Sequence, residues 1–221
     1  MSDHRLLDTT ELVAGLPEAL RDRVTASATT RRFGRGDLVF AQGEAADQLF
    51  VVVTGRVAIS TRSTDGRESV VAVLEDGALF GELGLFDGGG RSADVRALTD
   101  TVLLAVDYSV VRSAYVDHPQ ALWPIMRILA RRLRATDEAL ADAVFLDVPA
   151  RTAKRLLDIA GSEDAFTMPM TQEELAGLVG ASRERVNKAL ALFTRVGWLE
   201  VKGRSRYRIL DRAAMEERAN P

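Results

Sequence analysis

The chain has 221 residues, 29 Lys plus Arg against 32 Asp plus Glu for a formal net charge of −3, and a 47% hydrophobic share typical of a core-forming globular chain. Its zero cysteines exclude disulfides, thiolate metal sites, a Cys nucleophile and thiol redox sensing. With His4 and His118 as the only histidines, neither a His-rich metal cluster nor a Ser-His-Asp site is expected.

Enzyme signatures are also missing. None of Lys154, Lys188 and Lys202 follows a glycine, so there is no Walker A loop, and Gly88, Gly89 and Gly90 lack the spacing of a dinucleotide fingerprint. No window approaches eighteen apolar residues, and the start, MSDHRLLDTTELVAGL, is acidic where a signal peptide is basic and then apolar. The expectation is a cytoplasmic protein that neither crosses a membrane nor catalyses a reaction.

In chain order, ELVAGLPEALRDRV suggests short helices laid on a β-rich domain. Eleven of the 17 glycines lie between Gly34 and Gly90, where β-rich runs (49–53, 56–60, 68–74) alternate with turn signals. Further strands are expected at 92–98 and 101–106, and this spacing reads as a compact β-sandwich or barrel. Asp65-Gly66 marks a hairpin turn between two of the runs.

From about Pro119 the period changes. Leu122, Met126, Leu129, Leu133, Thr136, Leu140 and Ala143 recur with alternating spacings of four and three, the seam of a helix of roughly seven turns. So narrow a stripe suits a two-helix coiled coil, and hence a homodimer, better than a helix packed on its own domain. Asp147-Val148-Pro149 punctuates the helix, and the charge balance then reverses: residues 148–221 carry 13 basic and 10 acidic side chains, residues 1–147 carry 16 and 22. An anionic partner is expected for the second part only.

Residues 171–196, TQEELAGLVGASRERVNKALALFTRV, contain two short amphipathic helices. Thr171 with Glu174 forms a capping box, Ser182 is placed to cap the second helix, and Gly180 supplies the turn, with small Ala176 at the crossing. This is helix-turn-helix patterning, with a plain helical hairpin as the alternative. The second helix exposes Arg183, Arg185 and Lys188. In WLEVKGRSRYRIL, alternating Leu199, Val201, Tyr207 and Ile209 predict a hairpin turning near Gly203, a wing bearing Lys202, Arg204, Arg206 and Arg208. Between Ser182 and Arg208 there are eight basic residues and two acidic ones, Glu184 and Glu200. Such cations neutralise phosphates, whereas Glu184 can accept from a cytosine amino group in the major groove, which points to sequence-specific DNA binding rather than a merely solvated charged face.

With those segments in view, the order of β-domain, long helix and winged helix-turn-helix resembles the family of the cyclic-AMP receptor protein and the fumarate–nitrate reduction regulator (CRP/FNR), in its cyclic-AMP-receptor-like branch. The resemblance rests on GDLVFAQGEAADQLFVVVTGRVAIS (36–60), FGELGLFDGGGRSADVRAL (80–98), ARRLRATDEALADAVFLDV (130–148) and LAGLVGASRERVNKAL (175–190). It implies an α+β chain with a cyclic-nucleotide-binding β-barrel of jelly-roll type at 1–118, a coiled-coil dimerisation helix and hinge at 119–147, and a winged helix-turn-helix at 148–221.

A cyclic phosphate needs a cationic fork and backbone donors, and a ribose hydroxyl is served by a carboxylate; Arg91 and Glu82 fit. A barrel ion pair between the two is the competing reading. By position in the family, Gly81, Leu83 and Ser92 complete the phosphate and sugar contacts, Arg132 braces Glu82, and Thr136 with Asp137 meets the purine from the dimer helix. Asp137 and Ala72 stand where the best-known member has serines, so base identity is less secure than phosphate recognition. The implied ligand is cyclic AMP, with cyclic GMP second.

In the DNA-reading unit, Arg183 would read guanine, Glu184 cytosine and Lys188 a further base or phosphate in TGTGA-like palindromic half-sites. Arg185 and the wing residues Lys202, Arg204, Arg206 and Arg208 would hold phosphates, and Thr171 and Ser182 complete the DNA-binding set. RNA polymerase is the further partner implied, although the loop Gly161 to Pro169 is shorter than the one that touches it in the best-known member. The rivals are a ligand-independent or other-effector regulator of the same fold, and a cyclic-nucleotide-binding regulatory protein acting on a protein partner.

Overall fold

The computed structural model describes residues 3–62, 68–203 and 205–220. The predicted Asp65-Gly66 turn and Arg204 lie outside the described residues. Contacts divide the chain into two compact units, 1–133 and 134–221.

The first unit opens with a 3-10 turn at Asp3–Thr9 and helix α1 (Glu18–Ser27). Eight strands follow: β1 (Thr29–Phe33), β2 (Leu38–Phe40), β3 (Gln48–Thr54), β4 (Val57–Arg62), β5 (Glu68–Leu74), β6 (Leu79–Phe80), then short helix α2 (Leu83–Asp87), β7 (Asp94–Ala97) and β8 (Thr101–Asp107). Helix α3 (Tyr108–Asp117) leads to α4 (Leu122–Phe145), which runs on into the second unit.

The strands form two four-stranded antiparallel sheets, ordered β1-β8-β3-β6 and β2-β7-β4-β5. The expected barrel is therefore a two-sheet, jelly-roll-like sandwich rather than a closed cylinder. Alternation explains the arrangement, because inward residues of each strand are apolar and meet between the sheets. Phe40, Phe50 and Phe80 cluster there with Val52, Val57, Val95 and Leu103, their rings 5.4–6.1 Å apart. A second core covers the other face of β3 and β8: Leu49, Val51, Leu104 and Val106 pack against Leu7, Leu12, Val13, Leu16, Val111 and Ile125. The N-terminal segment is locked into it, since the Tyr115 hydroxyl donates to the Leu12 carbonyl at 2.8 Å.

Helix α4 carries the heptad stripe, and most of it is exposed. Met126 is 54% accessible, Leu133 62% and Leu140 64%, which in water is a standing cost unless another surface covers them.

In the second unit, α5 (Val148–Ala160), β9 (Ala165–Thr167), α6 (Gln172–Val179), α7 (Arg183–Arg195), β10 (Leu199–Lys202), β11 (Arg206–Ile209) and α8 (Arg212–Ala219) surround a third core. It includes Leu156, Leu175, Val186, Leu190, Phe193, Tyr207, Ile209 and Met215. The wing hairpin forms as predicted, with Lys202 opposite Arg206, and β9 adds a third strand, Tyr207 opposite Phe166. The stretch read as a loop between Gly161 and Pro169 therefore contains an edge strand. Its Phe166, half-buried and stacked 5.7 Å from Tyr207, supplies the packing that holds it there.

Candidate functional site

Two groups of polar residues stand out, one in each unit. The first is centred on the turn between β6 and α2. Gly81 sits there at φ +74°, where a side chain is strained, and a Cβ would come within 2.9 Å of an Arg91 nitrogen. The next residue, Glu82, is 2% exposed. One carboxylate oxygen takes a 2.5 Å hydrogen bond from Arg132 of α4, while the other is buried and has no partner. Arg132 also donates to the Leu79 carbonyl, so the end of β6 and the carboxylate are braced by one guanidinium.

Arg91 is 7% exposed. Its backbone is pinned to the 43–44 turn, Gly43 N–H donating to its carbonyl and its own N–H to Glu44, both at 2.8 Å. One terminal nitrogen donates to the Gln48 carbonyl at 2.7 Å and the Gly81 carbonyl at 3.1 Å, and lies 3.3 Å from the Tyr108 hydroxyl. The guanidinium stacks 4.1 Å from the Phe40 ring centre and 5.5 Å from that of Phe50. Its Nε is buried without a partner, and no carboxylate pairs with it among the described residues. The competing ion pair with Glu82 is thus not formed, because Glu82 is taken by Arg132.

A buried cation held only by neutral groups is costly unless an anion completes it. Beside it, a buried carboxylate oxygen is left to accept from a hydroxyl. That pairing fits a group carrying both a phosphate and a sugar hydroxyl. Leu83, at the start of α2, and Ser92, next to Arg91 in the loop before β7, are both exposed. Thr136 and Asp137 are exposed on the part of α4 that belongs to the second unit.

Tyr108 was not among the residues singled out in the sequence. Its hydroxyl donates to the Gly81 carbonyl, and burial first of all raises its pKa, partly offset by the positive charge of Arg91. Nothing marks it locally, since a tyrosine opening a helix is an ordinary boundary residue; only the fold brings it to Gly81.

The second group is the helix-turn-helix. Thr171 accepts from the Glu174 N–H at 3.2 Å while the Glu174 side chain accepts from the Thr171 N–H at 2.7 Å, a complete capping box. Gly180 ends α6 at φ +66°, and Ser182 caps α7 by accepting from the Arg185 N–H. With Val186, Ala189, Leu190 and Phe193 turned into the core, Arg183, Glu184, Arg185 and Lys188 are exposed together at the start of α7. Glu184 and Lys188 pair at 2.6 Å, and the hydrogen bond from Lys188 lowers the Glu184 pKa. On the hairpin, Lys202, Arg206 and Arg208 share the exposed face with Glu200, which pairs with Lys202 at 3.2 Å.

At the hinge, Asp147 caps α5 by accepting from the Ala150 N–H at 2.9 Å and is gripped by Arg218 of α8 at 2.5 Å. Burial pushes this carboxyl up, but the Ala150 N–H and the Arg218 charge outweigh it and leave its pKa lowered. Arg151 donates to the Leu146 carbonyl at 2.8 Å and to Val179 at 2.9 Å, tying the end of α4 to the α6–α7 turn. Lys154 pairs with Asp142 at 2.7 Å.

The fold sets a buried Arg91 and Glu82 in one unit and the exposed basic helix of a helix-turn-helix in the other. Residues 30–118 match the cyclic nucleotide-binding domain family, and residues 150–218 match the Crp-like helix-turn-helix domain. The chain is 43% identical over 180 residues to the CRP-like cAMP-activated global transcriptional regulator of Mycobacterium tuberculosis, spanning 78% of this chain and 80% of that one. It is 34% identical over 194 residues to the cAMP-activated global transcriptional regulator Vfr of Pseudomonas aeruginosa, spanning 83% and 91%. Among solved structures, the c-di-GMP responsive global regulator CLP of Xanthomonas campestris superposes with a TM-score of 0.76 at 27% identity, covering 87% of this chain and 99% of that one. The chain belongs to the CRP/FNR family of transcription regulators. It is a cyclic-nucleotide-responsive, DNA-binding regulator and not an enzyme. Among the described residues no helix is long and apolar enough to cross a membrane.

Proposed function

We propose that the chain is a homodimeric, cytoplasmic regulator whose effector is cyclic AMP and whose DNA target is a palindrome of TGTGA-like half-sites. The observation that carries the effector reading is the buried Arg91 guanidinium, held only by neutral partners, beside a Glu82 oxygen without one. Arg91 would take the cyclic phosphate and Glu82 the ribose 2′-hydroxyl, with Gly81, Leu83 and Ser92 lining the turn and Arg132 holding Glu82 in place. Thr136 and Asp137 would meet the purine. The choice of cyclic AMP draws on the two cAMP-activated relatives.

The division of labour follows the chain: 1–118 senses, 119–147 dimerises and transmits, 148–221 reads DNA. The exposed stripe of α4 supports a two-helix dimer, which would present two α7 helices about 34 Å apart to successive major grooves. Arg183, Glu184 and Lys188 would read bases, while Thr171, Ser182, Arg185, Lys202, Arg204, Arg206 and Arg208 would hold phosphates. Nucleotide activates by binding more tightly to the DNA-competent state, with RNA polymerase as the downstream partner.

A second reading, a different cyclic nucleotide as effector, is favoured by the c-di-GMP responsive relative and by Ala72 and Asp137. Calorimetric titration of the full chain with cyclic AMP, cyclic GMP and c-di-GMP decides between them. Cyclic AMP heat that vanishes in Arg91→Ala is the expected result. Heat only with another nucleotide selects the second reading, and none with any points to a ligand-independent regulator.

A further inference from the structure

Helix α8 has eight residues, fewer than the roughly 12 that a helix needs to persist in water by itself, so its contacts hold it in place. Met215 and Ala219, 0% and 1% exposed, sit in the core of the second unit. At the first turn Asp211 accepts from the Ala214 N–H at 3.0 Å. Arg212 donates to the Gly161 and Glu163 carbonyls at 3.1 and 2.9 Å and to the Asp164 carboxylate at 3.0 Å. At the last turn Arg218 donates to both Asp147 oxygens, at 2.5 and 2.6 Å.

The helix therefore begins at the wing and finishes at the hinge. It follows β11, and the Leu210 and Asp211 N–H groups both donate to the Trp198 carbonyl just beyond α7, at 2.8 and 3.3 Å. From Arg212 to Arg218 it advances about 9 Å and reaches the residue that caps α5. Each charge suits its own helix end, Asp147 at the partly positive N-terminus of α5 and Arg218 at the partly negative C-terminus of α8. With Asp147 60% exposed, the pair contributes little to stability. Its place in the fold is what sets it apart, because Asp147 is where α4 gives way to α5.

We infer that α8 is a brace between wing and hinge, with Arg218 as its positioning residue. Acting through Asp147, Arg218 ties the start of α5 to the wing side of the DNA-reading unit, as Arg151 ties it to the α6–α7 turn. A rearrangement at the hinge is then passed to the wing and to α7 together. The inference rests on the nucleotide-regulated DNA binding proposed above and names a residue through which that regulation travels.

The test uses the full chain and four variants: Arg218→Gln, Arg218→Lys, Asp147→Asn, and Arg218→Gln combined with Asp147→Asn. Cyclic AMP affinity is read by calorimetry, and affinity for a TGTGA-type palindromic duplex is read with and without saturating cyclic AMP. Arg218→Gln should leave cyclic AMP affinity within about twofold of the parent's and lower the factor by which the nucleotide improves DNA affinity by about 3- to 10-fold. Arg218→Lys keeps the charge and should restore most of that factor. Asp147→Asn should reproduce the fall, and the double variant should add little to either single change, since all three remove one contact.

An unchanged factor in Arg218→Gln overturns the inference. So does an equal loss of DNA affinity with and without cyclic AMP, which leaves Arg218 a charge that serves only the stability of α8, or a fall that Asp147→Asn does not share. Thermal unfolding of each variant separates loss of fold from loss of coupling, and Arg218→Lys with Asp147→Asn carries the comparison if Arg218→Gln does not fold. A parent whose DNA affinity cyclic AMP leaves unchanged overturns the proposed function, and this inference with it.

Discussion

Arg91 is the residue on which the proposed sensing of a cyclic nucleotide rests. Its guanidinium is buried, sandwiched against Phe40 and bonded to carbonyls, so it arrives at the ligand already oriented. Losing charge-assisted bonds worth about 1.5–3 kcal/mol each, Arg91→Ala should weaken cyclic AMP binding by on the order of 100-fold, read by calorimetry. Tyr108→Phe removes only the hydroxyl that shares the Gly81 carbonyl, so a smaller loss is expected, with the fold intact by circular dichroism. Across the molecule, Arg183 and Arg208 are expected to behave differently. Arg183→Ala should cost about 1–3 kcal/mol of discrimination at one base pair, whereas Arg208→Ala should weaken all sequences alike and flatten the salt slope. Equal losses on specific and mixed duplexes for both variants would contradict the division between reading and holding.

Among the elements, the passage from α4 to α5 is tied by three cations, Arg151, Lys154 and Arg218. Arg151 reaches the Leu146 carbonyl on one side and the Val179 carbonyl on the other, so a shift at the end of α4 is carried to the α6–α7 turn through one guanidinium. Arg151→Ala should leave nucleotide affinity unchanged while reducing the factor by which nucleotide improves DNA affinity, measured by titrating DNA with and without cyclic AMP. It should also cost about 2 kcal/mol in thermal unfolding, since those carbonyls lose their donor. Asp147 adds a pH dependence of known sign. Its folded-state pKa is lowered, so its contribution is present at neutral pH and is lost as the pH falls through that lowered value. Asp147→Asn keeps the helix cap but loses the Arg218 pair, and its stability should fall less between neutral and acid pH than the parent's.

At the scale of the whole molecule, the exposed stripe and the charge asymmetry belong together. Met126, Leu133 and Leu140 stay accessible along α4, and a second copy of the same helix is the surface that a 4-3 spacing fits. Leu133→Glu combined with Leu140→Glu should convert a dimer to a monomer in sedimentation equilibrium, and should lower DNA affinity because only one half-site is then engaged. A dimer that persists in that variant would remove the seam from the dimer interface. The basic excess falls beyond residue 147, so DNA is drawn to one end of the chain while the acidic sensing part is not attracted to it.

Local chemistry made much of the molecule legible from its residues alone. The Thr171 capping box, the Gly180 turn and the Leu199–Ile209 alternation each depend on residues a few positions apart, and each formed as read. The same holds for the α4 stripe, whose period is a property of one helix. What depended on distant residues was not legible. Which strands pair within the two sheets is set by pairing across the fold, as is the recruitment of Ala165–Thr167 to the wing sheet by Tyr207. Glu82, Arg91 and the Arg132 brace on Glu82 could be named from the resemblance, yet that Arg91 rests on Gln48, Gly81, Phe40 and Tyr108 was decided by tertiary packing. Short-range caps, turns and periods are written in neighbouring residues, whereas the partner of a buried charge is chosen by whichever distant groups the packed core brings within hydrogen-bond reach.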